Sequence, residues 1–273
     1  MTEIARGQLQ QPFTALVLAG RRGGEDPLAR HCRVAYKCLA LAAGVPMLVR
    51  VVDALAASSS IGRIFIVLED PAILDSVSAV RAWRGEHAYA TLVGAASPSL
   101  SVLKALDEIP ASLPMLVTTA DHPLLTPEIV EHFCAAARAT SADVVAGLTA
   151  AEIIRAAYPD TQRTYLRFRD GPCSGANLFA LLTPGSWPAV AFWRRVEQER
   201  KRPWRLARAF GLGPLLAYLC GHPTLDSAMA RASAIVGAQV AAIRLPFAEA
   251  AIDVDKPADL ALVEAILARR GGG

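Results

Sequence analysis

The chain has 273 residues, 53% hydrophobic and 19% charged, with a formal net charge of +3. That describes a globular protein with a full core, in one large α/β domain or two small ones. The charge is too small to argue for a nucleic-acid partner. The five cysteines (Cys32, Cys38, Cys134, Cys173, Cys220) show no C-x-x-C spacing, and the five histidines show no H-E-x-x-H. Reduced thiols in a cytoplasmic protein fit this better than a disulfide framework or a zinc site. Residues 1–12 lack the apolar run of a secretion signal and read as a flexible N-terminus. Residues 171–193 are uncharged and long enough to span a bilayer, but Pro172, Pro184 and Pro188 break them into strand, turn and helix start.

Residues 13–18 are short, apolar and partly β-branched, and predict a buried strand. An Arg/Gly-rich loop follows and ends at Lys37. Apolar spacing then predicts a helix over 46–57, a strand over 63–68 and a helix over 71–83 that opens on proline. A strand over 90–93, a helix over 100–109 and a strand over 115–119 come next. Thr126 caps a helix with Pro127 at its first position, and 143–148 is again a strand. Such alternation implies right-handed βαβ units and a mostly parallel central sheet flanked by helices. Beyond about residue 160 the order changes. Strands are expected over 164–168 and 177–181, helices throughout 186–236, a strand over 239–245 and an amphipathic helix over 257–268. The simplest organisation is one domain over 13–273 with a helical insertion over 183–236.

In a parallel sheet, ligands bind beyond the carboxyl ends of the strands. Gly20 and its arginines lie past one such end, and Asp121 lies past another. The loop is neither the G-x-G-x-x-G dinucleotide fingerprint nor a P-loop, because Lys37 is far from Gly24 and precedes Cys38. The missing fingerprint argues against a dinucleotide-dependent oxidoreductase. The residues themselves leave open a solvated basic loop or an anion site. They also leave open a turn-forming role for Asp121 or a Mg²⁺ ligand. In "AIDVDKPADL", Asp255 is placed to cap the last helix, whereas Asp253 has no local duty and is the better second metal ligand.

Six blocks stand in order: "LVLAGRRGG", "YKCLALAAGVPMLVRVVDAL", "ASPSLSVLKAL", "TTADHPLLTPEIV", "SGANLFAL" and "AIDVDKPADL". Together they resemble the MobA-like nucleotidyltransferases, which share the glycosyltransferase-A-like Rossmann fold. The resemblance implies transfer of a nucleoside monophosphate from a triphosphate, CTP or GTP, to a phosphorylated small molecule, with release of pyrophosphate and dependence on Mg²⁺. Molybdenum-cofactor guanylyl- or cytidylyltransfer is one version. A non-catalytic module of the same fold is the rival. By resemblance, Leu18, Ala19, Gly20, Gly23, Ser101 and Ala120 bind the nucleotide. Arg21 or Arg22 meets the triphosphate, and Lys37 neutralises the α-phosphate. Asp121 and Asp253 hold Mg²⁺, and Gly175 and Asn177 line the acceptor pocket. Here Arg21 stands where the family loop commonly has glycine, and "EDPLARHCRVAY" lengthens the approach to Lys37.

Residues 192–210 carry seven basic side chains against Glu197 and Glu199, a surplus of five. They leave open a pair of solvated helix faces, a grip on the acceptor phosphate, or a peripheral membrane contact through 192–220. The oligomeric state is not encoded in any of these patterns.

Overall fold

The structure is a computed structural model that describes residues 11–21, 26–77, 80, 89–199 and 223–271. Its centre is a seven-stranded sheet in the order β5-β4-β1-β6-β8-β7-β9. The strands are β1 (Phe13–Leu18), β4 (Ile61–Leu68), β5 (Ala90–Val93), β6 (Met115–Thr119), β7 (Val144–Ala150), β8 (Cys173–Leu181) and β9 (Val240–Leu245). A two-residue ribbon, β2 (Leu41–Ala42) with β3 (Val45–Pro46), stands apart. Within the sheet β8 alone runs antiparallel, against both β6 and β7. The other neighbours pair in parallel.

The opening strand is central because it is apolar on both faces: Phe13, Ala15, Leu16 and Val17 are fully buried. From β1 the chain goes outward to β4 and β5, then returns to place β6 on the other side of β1. This reversal opens a crevice at the carboxyl ends of β1 and β6. It is where Gly20 and Asp121 lie.

Helices cover both faces. One face packs on α2 (Met47–Ala56) and α5 (Pro127–Arg138) through Val51, Leu55, Ile129 and Phe133. The other packs on α4 (Pro98–Glu108) and α7 (Trp187–Glu199) through Val102, Leu106 and Val190. Smaller helices are α1 (Pro27–Cys32), α3 (Ile73–Ser76) and α6 (Ala151–Ala157), and α8 (Leu225–Val236) lies against β9. The closing helix α9 (Pro257–Gly271) buries Leu260, Val263 and Ile266 with Leu28, Leu124 and Ile252.

The capping signals do what their chemistry dictates. Thr126 accepts from the Ile129 N–H, with Pro127 at the first position of α5. Ser97 and Pro98 open α4 in the same way. Asp26 accepts from the N–H groups of Leu28 and Ala29 and starts α1, a helix that apolar spacing did not reveal.

Two expectations change. No strand forms over 164–168. Leu166 makes a single antiparallel bridge to Cys173, because Arg163 ties the chain before it to the 251–253 loop and Gly171 turns the chain after it. Of the helix expected over 71–83, Ile73–Ser76 is helical, Val77 is extended and Val80 is helical again; residues 78, 79 and 81–88 lie outside the described residues. So do 1–10, with most of the expected flexible N-terminus, and 200–222, with most of the basic segment.

Candidate functional site

The crevice opens into a cavity of about 590 Å³. Leu18, Ala19, Gly20, Arg21, Lys37, Ser101, Ala120, Asp121 and Asn177 line it. The fold therefore brings these sequence-predicted positions together. Gly175 lies on β8 and is exposed, outside the lining, and Asp253 is also outside it. Arg22 and Gly23 lie outside the described residues.

Hydrogen bonds between strand ends hold the mouth of the cavity. The Ala19 N–H donates to the Val67 carbonyl, and the Ala120 N–H donates to the Leu18 carbonyl. Glu69, at the end of β4, accepts from the Arg21 N–H at 2.8 Å. Its carboxylate lies so close to Gly20 that a Cβ there would stand 3.1 Å from Oε1, tighter than ordinary contact. Glycine here allows the Glu69 carboxylate a close approach, which a side chain could keep only by moving Glu69, and no unusual backbone angle is involved. The Arg21 guanidinium stacks 4.6 Å above the Tyr36 ring. On the opposite wall, Ser101 Oγ accepts from the Ala95 N–H at 2.9 Å and fixes the loop before α4.

Lys37 stands between two carboxylates. Its Nζ donates to Asp121 Oδ2 at 2.5 Å and to Asp255 Oδ1 at 2.7 Å. Burial works against its charge, but Asp121 first and Asp255 second raise its pKa above the ordinary lysine value. Asp121 Oδ1 is buried without a hydrogen-bond partner among the described residues. The adjacent Cys38 thiol is pushed up to about 12 by burial and by Asp121, so it is a neutral thiol at physiological pH. His122 is buried, and its Nε2 donates to the Glu249 carbonyl at 3.1 Å. Desolvation holds its pKa below the usual histidine value.

Asp253 has different partners. One oxygen is ion-paired with Arg163 Nη2, and the other accepts from Asn177 Nδ2 at 3.1 Å. Asn177 has φ of +50°, and the β7–β8 register slips beside it. A bulge of this kind re-aims a side chain, and asparagine tolerates the left-handed backbone better than most residues. The bulge turns Asn177 to join the cavity wall to the 251–255 loop.

Three contributors went unrecognised in the sequence. Asp255 read as a helix cap, but Asp259 supplies the cap from inside the first turn, accepting from the N–H groups of Asp255 and Lys256 at 3.1 and 2.9 Å. This releases the Asp255 side chain to Lys37. Glu69 follows an apolar strand just as Asp121 does, so the same signal could have found it. Arg163, in a loop, carried no local signal at all.

Among the described residues, no cluster of three or more His, Cys, Asp or Glu could hold a metal, and no helix is long and apolar enough to cross a membrane. Residues 15–242 match the model of the MobA-like NTP transferase domain. Among solved structures, a hypothetical transferase from Thermus thermophilus has a TM-score of 0.74 at 32% identity, over 92% of this chain and 100% of that one. The 4-diphosphocytidyl-2C-methyl-D-erythritol synthase of Anaerococcus prevotii has a TM-score of 0.57 at 13% identity, covering 98% and 100% of the two chains. A CMP:2-keto-3-deoxy-manno-octonic acid synthetase complexed with CTP has a TM-score of 0.58 at 15% identity, covering 95% and 100%. At those two identities the likeness is one of fold. No curated protein matches. The family match runs from the opening strand through Lys37, Asp121 and Asn177 to β9, and on that ground the chain belongs to the MobA-like NTP transferase family and is a nucleotidyltransferase.

Proposed function

We propose that the enzyme transfers a nucleoside monophosphate from a nucleoside triphosphate to a phosphorylated small molecule and releases pyrophosphate. The observation that carries this reading is Lys37, held at the cavity wall between Asp121 and Asp255. An acceptor phosphate is already anionic, so it attacks the α-phosphorus without a general base. The bond from that phosphorus to the bridging oxygen breaks, and pyrophosphate carries the electron pair away. Such transfers depend on alignment and on neutralising phosphate charge. An ammonium has three donors. Two of those on Lys37 meet carboxylates, and a third reaches for the α-phosphate. Arg21 stands at the triphosphate end, where Tyr36 holds its guanidinium.

Mg²⁺ fits this site. The buried Asp121 Oδ1 lacks a partner among the described residues, and Asp255 approaches the same lysine. Mg²⁺ favours one or two carboxylates plus substrate phosphates, so no larger cluster is required. When bound, it would neutralise phosphate oxygens. For the second carboxylate we take Asp255 in place of Asp253, because Asp255 lines the cavity whereas Asp253, held by Arg163 and Asn177, does not.

The test is a pyrophosphate-release screen of ATP, CTP, GTP and UTP against phosphorylated acceptors, with Mg²⁺ and with chelator. CTP comes first, since a CTP-bound synthetase shares the fold. The expected result is release that needs both acceptor and Mg²⁺. Nucleotide binding with no release for any pair would favour the non-catalytic module.

A further inference from the structure

The cavity has two chemically different ends. Lys37, Asp121 and Asp255 stand at the mouth, but the lining then runs down the sheet face, beneath α4 and α7, into hydrocarbon. Phe179 and Leu181 of β8 and Val117 of β6 form its floor, and Val190 and Trp193 of α7 form its roof. Phe179 and Leu181 share this face at the strand period, about 7 Å apart at ~3.3 Å per residue, and the bulge brings Asn177 to the same cavity at its polar end. Phe179 is 40% exposed although it lies within the sheet. Its ring stacks on Trp193, with centroids 6.4 Å apart and planes 25° apart. Glu197, the charged group on the roof, is held by the Ser99 hydroxyl.

A polyol reaching as far as Phe179, Leu181, Val190 and Trp193 would give up hydrogen bonds to water and recover few, since the polar lining groups such as Ser101, Thr119 and Glu197 are outnumbered there by hydrocarbon. A hydrocarbon body would cover Phe179 and gain its burial. The recess is continuous with the mouth where the acceptor phosphate must react. We propose that the acceptor is a phosphate ester with an apolar body, alkyl or aryl, lying along β8 with its phosphate toward Lys37. Phe179 and Trp193 are then specificity-determining residues. The proposal rests on the transfer reaction argued above.

The test is calorimetric binding of hexyl phosphate, benzyl phosphate and glucose 1-phosphate to wild type, Phe179→Ala and Phe179→Leu, with ATP, CTP, GTP and UTP, each with Mg²⁺, titrated alongside. Hexyl or benzyl phosphate should bind wild type more tightly than glucose 1-phosphate. Phe179→Ala should weaken their binding about tenfold, the scale of one lost aromatic contact. Phe179→Leu, which keeps apolar bulk, should recover most of it, and both variants should hold nucleotide as wild type does. Tighter binding of glucose 1-phosphate, or variants that lose nucleotide instead of ester, would overturn the proposal. So would a wild type that binds nucleotide but neither apolar ester. A wild type that binds none of ATP, CTP, GTP and UTP, each titrated with Mg²⁺, would instead undermine the transfer reaction itself.

Discussion

Lys37 and Arg163 hold the same loop from two sides. Lys37 pairs with Asp121 and Asp255, and Arg163 pairs with Asp253 and Asp259. Arg163 is the more enclosed, with 7% of its side chain exposed against 20% for Lys37. Its planar fork also meets the carbonyls of Ala251 and Asp253. That arrangement is saturated, and it pins the loop. The lysine cluster faces the cavity and keeps a buried carboxylate oxygen without a partner among the described residues. An ammonium is a compact point charge that can trade partners, whereas a guanidinium locked by several acceptors cannot do so cheaply. One cluster is therefore suited to ligands and the other to architecture, although one short motif supplies acids to both.

The strongest way to break this contrast is Asp121→Asn. Turnover should fall ~10²-fold or more, the usual scale for such electrostatic contacts, while the melting temperature stays near wild type. Pyrophosphate release and thermal melting measure the two, and a near-normal rate would remove Asp121 from the reaction. Arg163→Ala should show the opposite pattern. Leaving Asp253 and Asp259 without their cation should cost about 3–5 kcal/mol in denaturant unfolding. Activity per folded molecule should fall far less than in the Asp121 variant.

Next in size is Lys37→Ala, which should slow turnover sharply. It also leaves Asp121 and Asp255 facing each other without a cation. Mg²⁺ should then raise the melting temperature of this variant more than that of wild type. Equal shifts would place the metal elsewhere. The paired acids sharpen the contrast further: Asp255→Asn should lower turnover with little change in melting, and Asp253→Asn should lower melting with little change in turnover. The reverse result would return the metal role to Asp253.

The smallest effect concerns His122. Its folded pKa lies below the unfolded value, so the unfolded chain takes up the proton first as pH falls. The stability from burying neutral His122 is full above the unfolded pKa, near 6.5, and is lost as pH drops through the folded value. The melting temperature should therefore decline from pH 7 to pH 5, and His122→Gln should show a shallower decline. Parallel profiles would exclude His122 as a source of the acid sensitivity.

Strand and helix in the first half were legible because each element carries its own period and its own cap. Val117 sits in an apolar run, and Thr126-Pro127 announces a helix. The acids of the last motif were legible as a group but not by role, since Asp253 and Asp255 differ by two residues and share their local chemistry. What separates them is a contact with Arg163, ninety residues away, and the cap from Asp259. The 164–168 segment was misread for a related reason. Its β-like composition was real, but partners distant in sequence drew it away from the ladder.

By itself the sequence determined the alternating α/β architecture, the position of the glycine loop and Asp121 beyond strand ends, and membership of the family through motifs in order. Those features depend on local periodicity and on the direction of parallel strands. Only the tertiary structure decided that β8 runs antiparallel, that Lys37 bridges Asp121 and Asp255, and that an apolar recess lies below the charged mouth. Each of these depends on which side chains meet across the sheet. A residue's type states what it can bond, but packing between distant segments decides which partner comes within reach.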